Sequence, residues 1–595
     1  MAAYYGDKKY EGQETIVVAM DIGTTNTAVS FTHLCPGSRP QGKMVAHWPG
    51  QANWSGAAKI PSIVSYINGV AKAYGNEAQQ DFEGNHSEVA YWFKLHLHPT
   101  TMLKLSDSQG FEIPALPVNT TIEGVYTDLM RYLMKNTQRV FQMVTPDGKE
   151  IWSRLRDAIV IVLAIPNGWA IAEQAILSRA AIKASLVTEE NAGHLLHFVA
   201  EAEASVHYAL AKQEGQWLKR NTVFAVIDCG GSTIDTTVYR CVSTDPLRLK
   251  EACPSECVQA GGIFINREVE KLLKEKLRDS AFDDPEIMRI MMSAFEKELK
   301  PTFDGITEEY SFRFGSIKDD DSSLGIAKGR ITLLDRELKP AFDLVIEKMI
   351  ASCFHILVEQ KTKYLILVGG FAESPYMQNV LWKRLAQHEI APIMGVDYAK
   401  KAAAEGAIIA HIKQFVVARV VKATIGGCVR ESYNKKLHRE RKHLARLYPD
   451  GKKRVDGAFH AWVKKGDILQ GTIVHNLPYH LAWDANSTSE SDLIDSLGTT
   501  GIEVFAWEGE GIPTWCKDEH GNVLEGMRLI CTLSANLATL AGGLQIQNGP
   551  HGEKFYRIDY DVCVYYGGTQ LCAKMQWKEK GVLRESPIAI MPYVS

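Results

Sequence analysis

Apolar and polar positions follow two regimes along the chain. Between about residues 15 and 413, short solid apolar runs alternate with longer stretches whose apolar residues recur every three or four positions. That pattern predicts buried strands interleaved with amphipathic helices, an α/β arrangement. Three of the apolar runs end in glycine-rich turns. Run 17–20 leads into Asp21-Ile22-Gly23-Thr24-Thr25-Asn26-Thr27 and then 28–31. Run 223–227 leads into Asp228-Cys229-Gly230-Gly231-Ser232-Thr233-Ile234-Asp235 and then 236–239. Both predict strand, tight turn, strand, and the second echoes the first. Run 364–368 leads into Gly369-Gly370 and a helical stretch at 375–385.

Helical spacing predicts further helices over 170–186, 201–212, 283–300, 333–355 and 399–412. Beyond about 413 the alternation becomes every second residue, over 502–507, 527–533, 555–565 and 570–577, and helical runs nearly vanish. This places a domain boundary near 414, with residues 15–413 as an α/β domain and 414–595 as a smaller β-rich one. The boundary run 416–421 is β-branched and reads as packed rather than mobile. The Lys/Arg/His-rich segment 435–454 reads as a solvated loop.

Composition changes this picture little. A length of 595 residues suggests about three to five compact units, and 46% hydrophobic with 23% charged residues is ordinary for a globular protein. A net charge of -4 gives no global reason to expect nucleic acid or an anionic membrane as partner. No apolar run reaches the ~18 residues of a membrane span, and residues 1–10 carry no secretory pattern, so a cytoplasmic location is expected. The 11 cysteines are scattered, which suits free thiols. Cys253 and Cys257 are close in sequence but lack the two further ligands of a zinc site.

The chemistry lies in the turns. Backbone N–H groups converge on a phosphate only where side chains leave room, and Gly23-Thr24-Thr25-Asn26 and Gly230-Gly231-Ser232-Thr233 both provide that. Asp21 and Asp228, each at the end of a first strand, together suit a hydrated Mg²⁺. A single such turn is equally a plain hairpin turn; two of one pattern with a third Gly-Gly turn are more specific. On residues alone Lys94 reads as a surface lysine. Glu201 stands where a helix begins and favours its positive end. His96 and His98 alternate on a strand-like stretch and read as packing or solvent-facing residues.

The order DIGTTNT, IPNGWAIAEQAILSRAA, EAEAS, DCGGSTID, AGGIFINREV, VGGFAESP and AAAEGAIIA is similar to the nucleotide-binding domain of the seventy-kilodalton heat-shock chaperones, across roughly residues 15–413. Weaker likeness continues through Gly426-Gly427 and Val463-Lys464-Lys465-Gly466 and resembles a divergent branch of that family. The resemblance implies a two-lobed actin-like (ribonuclease H-like) fold that binds ATP or ADP with Mg²⁺. It implies that Asp21 and Asp228 organise the metal through water. Thr24, Thr25 and Asn26, with Gly23, would hold the phosphates from one lobe, and Gly230, Gly231, Ser232 and Thr233 from the other. Lys94 would reach the γ-phosphate, and Glu201 would position water and metal. Gly261, Gly262, Glu296 and Lys300 would border ribose and adenine, with Gly369, Gly370, Phe371 and Glu373 closing the pocket.

The resemblance also implies weak ATP hydrolysis, a protein or peptide client on the β-rich domain, and co-chaperones as further partners. The departures are Glu373 where the family has a basic residue and Lys400 where it has an aspartate. An acidic leucine-rich linker and a long helical lid are not found either. A lid-and-linker chaperone cycle is therefore not expected. A nucleotide sensor with little turnover and a small-molecule kinase of the same fold stand as alternatives.

Overall fold

The two echoing runs fold as hairpins whose strands are buried on both faces. In the computed structural model, strand β1 (Thr15–Ile22) pairs antiparallel with β2 (Asn26–Leu34), and every residue of β1 after Thr15 is buried. Burial on both faces is why β1 is a solid apolar run rather than an alternating one. The structure describes all residues except 1–2, 5–8, 52–57, 85, 100–112, 168, 170, 213–216, 394–397, 422, 471–473, 568–569, 587–588 and 592–595. The fold is mixed α/β, and the chain divides into two compact units, residues 1–169 with 173–416, and 170–172 with 417–595.

In the first unit, β3 (Val160–Ile165) runs parallel to β1, and β4 (Leu196–Ala200) parallel to β3. Ile16, Val18 and Met20 face a core built with helices α1 (Ile122–Val144) and α2 (Ile171–Lys183). Val17 and Ala19 point the other way, toward Ala204 and Tyr208 of helix α3 (Glu201–Lys212). This is the two-residue period of a strand expressed on opposite faces.

A second sheet repeats the plan. Its hairpin is β5 (Val223–Cys229) and β6 (Ile234–Thr244), followed by β7 (Leu247–Glu251) on the β6 side. On the β5 side, β8 (Tyr364–Val368) and β9 (Ala391–Ile393) pair parallel. Ala225 and Ile227 face a core with helix α4 (Gly262–Leu277), helix α5 (Pro285–Ala294) and helix α6 (Asp335–Glu359). Phe224 and Val226 face Val206 and Ala209 of α3. Helix α3 therefore lies between the two sheets, and each lends it a face. Helix α7 (Pro375–Ala386) follows β8, and helix α8 (Tyr398–Lys413) packs on α3.

Three expectations need correction. The stretch 283–300 is not one α-helix: α5 ends at Ala294 and a π-helical turn, Phe295–Leu299, follows. The stretch 333–355 begins as strand Arg330–Leu334, because Ile331 and Leu333 are buried against strand Glu309–Arg313; the helix starts where the Glu337 carboxylate accepts from the Leu334 N–H. His96 and His98 are not on a strand: Phe93–Leu97 is a 3-10 turn.

In the second unit, β10 (Val416–Val420), whose first residue closes the first unit, is a strand as its β-branched sequence suggests. Strands β11 (Thr424–Ser432), β12 (Lys453–Val463), β13 (Ile468–Gln470), β14 (Val474–Asp484), β15 (Thr500–Trp507), β16 (Met527–Ala535), β17 (Lys554–Gly567), β18 (Gln570–Glu579) and β19 (Val582–Glu585) follow. One sheet runs β12, β11, β15, β16 and another β14, β17, β18, β19. Ile425, Val504 and Ala506 of the first share a core with Val562, Ala573 and Met575 of the second, a sheet-on-sheet packing. A nine-residue helix, α9 (Glu490–Gly498), interrupts the strands. No described helix is long and apolar enough to cross a membrane.

Candidate functional site

Each hairpin turn of the first unit closes with the same bond. The Gly23 N–H donates to the Asn26 carbonyl at 3.1 Å, and the Gly230 N–H to the Thr233 carbonyl at 2.9 Å. The two turns touch: Thr24 Oγ1 and Ser232 Oγ are 2.6 Å apart and both residues are buried. Gly231 permits the approach, since a Cβ there would stand 3.3 Å from Thr25 Oγ1 and Cγ2. The carbonyls of Gly230, Gly231 and Ser232 accept from the N–H groups of Gly262, Ile263 and Gly261 at 3.2, 2.9 and 3.2 Å. Among the described residues, no backbone acceptor takes the N–H groups of Thr24, Thr25, Gly231 or Ser232. Such unspent donors on two touching turns can donate to anionic oxygens.

Beside the turns lies a charge cluster. Lys94 is buried in the 3-10 turn, and its Nζ donates to Glu201 Oε1, 2.6 Å away at the first residue of α3. The Lys94 ammonium also sits 5.3 Å over the Trp169 ring. Asp21, Glu201, Asp228 and Asp235 lie close enough to bear on one another. Burial, with Asp235 and Asp21 adding to it, pushes the Asp228 carboxyl up to about 7, although the Ser205 hydroxyl donates to it at 3.1 Å. Burial likewise raises Glu201, against the pull of Lys94. Burial works against the Lys94 charge, but the Glu201 and Asp21 carboxylates outweigh it, so Lys94 keeps its proton. Four carboxyl groups crowd around Lys94, Lys59 also bears on Asp228, and a further cation would favour the ionised forms of Glu201 and Asp228 that burial now disfavours. Among the described residues, no three His, Cys, Asp or Glu side chains converge to chelate a metal directly.

The remaining candidate residues adjoin this centre. Gly261 caps α4 and lies backbone to backbone on the second turn; a Cβ there would be 2.3 Å from the Gly231 carbonyl atoms. Lys300 Nζ donates to the Gly262 carbonyl and to Asn266 Oδ1, both at 2.9 Å, and burial lowers its pKa. Gly369 ends β8 with φ +93°, where any Cβ would meet Asp228 Oδ1 at 2.5 Å. Gly370 faces open space, with nothing within 4 Å of a Cβ, and Phe371 behind it is buried. Glu296 lies 4.0 Å from Lys300 and is exposed, and Glu373 is exposed as well. Lys400 falls within α8.

Four neighbours were not singled out as site residues from sequence. Ser205 holds Asp228, and Asn167 donates its N–H to Asp235 at 3.0 Å. Asp235 stands in register opposite Asp228 on β6. That pairing was available from sequence, because two aspartates flanking a hairpin turn symmetrically must be cross-strand neighbours. His98 is buried, with Nε2 3.3 Å from Ser232 Oγ and its ring edge-on to Trp169. Nothing in its spacing signals that contact.

No family model matches the chain. It is 22% identical over 462 residues to heat shock 70 kDa protein 12A of Mus musculus, a match covering 62% of this chain and 65% of that protein. The Homo sapiens heat shock 70 kDa protein 12A gives the same figures. Heat shock 70 kDa protein 12B of Homo sapiens is 22% identical over 476 residues, covering 64% and 66%. The chain thus spans just under two thirds of the length of the curated relatives it matches. These distant homologues are heat shock 70 kDa proteins 12A and 12B, the divergent branch of the seventy-kilodalton heat-shock family that the motifs of this chain resemble.

Proposed function

We propose that residues 15–413 are a two-lobed actin-like ATPase domain that binds Mg–ATP between its two hairpins, and that residues 414–595 bind a protein client. The observation that carries this reading is the meeting of two identically bonded glycine-threonine turns, at 2.6 Å between Thr24 and Ser232, beside a buried lysine and four carboxylates. Unspent N–H donors on both turns fit a polyphosphate, and the cluster of carboxyl groups, whose ionised forms a cation would favour, fits a hydrated Mg²⁺. The distant homology supports a heat-shock-70-like protein.

In this reading Thr24, Thr25, Gly231 and Ser232 donate to phosphate oxygens, and Asp21 and Asp228 accept from the waters of the ion. ATP would supply the transferable γ-phosphoryl group and Mg²⁺ charge neutralisation. Lys94 would meet the charge that develops on that group, and Glu201 would orient the attacking water. Lys300, Gly262 and Gly370 would border the nucleoside. The domain is then a slow ATPase whose work is positioning and electrostatics. The test is mass identification of nucleotide co-purifying with the chain, followed by calorimetric titration with ATP with and without Mg²⁺. Binding of ATP that strengthens with Mg²⁺ supports the reading. A folded chain that takes up neither ATP nor ADP sinks it.

A further inference from the structure

Within the second unit, a cleft of about 810 Å³ opens between strands β11, β12 and β14. Its walls carry five Arg and Lys side chains and four carboxylates. Three of the cations are already paired: Arg430 with Asp456 at 2.7 Å, Lys517 with Glu503 at 2.5 Å, and Arg454 with Asp450. Arg441 is different. Its guanidinium lies 3.9 Å over the Trp515 ring, and Nη2 donates to the Lys517 carbonyl. Among the described residues it forms no ion pair, and that bond uses one of its several N–H donors. Arg441 is 8% exposed, and burial lowers its pKa despite the pull of Asp518 and Glu519. A charge buried without a partner is costly, and an anion entering from the cleft would relieve it. Gly457 leaves the approach open, since any side chain there would begin 3.5 Å from Arg441 Nη1.

The β14 wall offers a second kind of contact. Among the described strands β14 pairs with β17 alone, so it is a sheet edge. Just past its end, the Ala485 N–H donates to the Lys554 carbonyl. In an antiparallel ladder such bonds recur at every second residue. The odd-numbered residues of β14 therefore bond β17, and the N–H groups of His480 and Ala482 face outward. Among the described residues no backbone acceptor takes them. Pro478 stands at another outward position, where its missing N–H costs the ladder nothing. Residues 478–482 all line the cleft.

We propose that this cleft takes an extended peptide segment that pairs with the free edge of β14 and sets an acidic side chain on Arg441. The inference rests on the reading of residues 414–595 as client-binding and names the kind of client. A guanidinium fork matches a carboxylate through two parallel N–H···O bonds. Trp515, stacked on Arg441, holds the plane of that fork. Ladder bonds to β14 supply affinity whatever the sequence, and the carboxylate supplies selection. A phosphate suits the cleft less, because the four wall carboxylates repel a dianion more than a monoanion. Tyr448, Phe459 and Tyr560 give the walls apolar surface for the neighbours of the acidic residue.

The test probes an array of random dodecapeptides with the full chain and then titrates the best binder by fluorescence anisotropy. Bound sequences should be enriched in Asp and Glu. Changing the acidic residue of the best binder to its amide should weaken binding by about tenfold or more, as loss of a charge-assisted pair implies. In Arg441→Met, which keeps an apolar side chain on Trp515, acid and amide peptides should bind alike. Phosphoserine in place of the acid should bind no tighter. N-methylation of alternate peptide nitrogens needs no variant to fold, and should abolish binding in one register and spare it in the other. Binding without acidic preference, an amide penalty that persists in Arg441→Met, tighter phosphoserine binding, or tolerance of methylation in both registers overturns this inference alone. A folded chain that binds no peptide overturns the client reading with it.

Discussion

Gly261→Ala and Gly370→Ala add the same methyl group at two points of the site and should behave in opposite ways. At Gly261 the new carbon would lie 2.3 Å from the Gly231 carbonyl carbon and oxygen and 2.4 Å from the Ser232 nitrogen. Carbon contacts become favourable only near ~3.5 Å, so backbone must part from backbone by about 1 Å. No flexible side chain can absorb the shift. Overpacking of this kind costs about 1–3 kcal/mol, and rigid atoms on both sides point to the upper end. The displaced turn is the one that meets Thr24 and Thr25, so the strain reaches the N–H groups proposed to hold phosphate. A misplacement of about 1 Å is of a size that can cost about a hundredfold in rate.

At Gly370 a methyl group meets nothing within 4 Å, and the backbone has φ −67°, which alanine adopts without strain. Stability should move by less than about 0.5 kcal/mol. If the nucleoside lies against this bare backbone, affinity should still fall about tenfold, or ~1.4 kcal/mol. Thermal unfolding without nucleotide reads the first quantity and calorimetric titration with Mg–ATP the second. Gly261→Ala should unfold several degrees lower; an unchanged midpoint would refute the close approach. Gly370→Ala should unfold like the parent and bind ATP less well; parental affinity would remove Gly370 from the nucleoside site.

Three further outcomes follow from named contacts. Lys94→Ala should bind ADP nearly as well as the parent but hydrolyse ATP much more slowly in a single turnover, because in the proposed mechanism its ammonium meets charge developed in the transition state; unchanged hydrolysis would leave Lys94 only its pairing with Glu201. His197 and His411, rings 5.1 Å apart, are both held neutral by burial, His411 down to about 4. The unfolded chain takes up protons near ~6.5 that these rings refuse, so their stabilisation is present above that pH and lost as pH falls toward 4, by at most about 3 kcal/mol for His411. His411→Phe should flatten the acid limb of a midpoint-against-pH plot, and an unchanged limb would contradict this. Arg454 and Asp450 form a buried pair in the second unit, with His480 Nε2 3.0 Å from the guanidinium. Arg454→Met leaves a buried carboxylate unpaired and should cost about 3–5 kcal/mol, while Asp450→Leu combined with Arg454→Met should cost clearly less; equal losses in urea melts would show that the pair itself, not the orphaned charge, is what matters.

Local chemistry was legible where a short pattern admits one solution. Asp-x-Gly followed by small residues after an apolar run predicts a turn, and β1, β2, β5 and β6 stand where that implies. Helix α3 occupies the stretch 201–212 expected for it. The failures have a common cause, which is that spacing does not say which neighbour a face will meet. Leu333 and Leu334 can open the helical pattern that follows or close a strand; Tyr310, opposite Leu333 across the sheet, decides for the strand. His96 and His98 alternate like strand residues, but the chain turns at Trp92, which has φ 47°, and sends His98 inward to Ser232.

The Lys94 side chain makes the same point about the site itself. As one residue in Tyr91-Trp92-Phe93-Lys94-Leu95 it carries no mark that separates it from a surface lysine. Its burial is decided by α3, whose first residue brings Glu201 to 2.6 Å, and by Trp169, whose ring lies under the ammonium. Helix α3 is placed in turn by the two sheets that share it, through Ala204 and Tyr208 on one side and Val206 and Ala209 on the other. A cation can be buried there because the Glu201 carboxylate pairs with it and carboxylates from both hairpins, Asp21 and Asp235, add to that attraction. The charge of Lys94 is therefore a property of how the two sheets close on α3. A substitution in that helix core, such as Ala204→Val, should change the site without touching any residue that lines it.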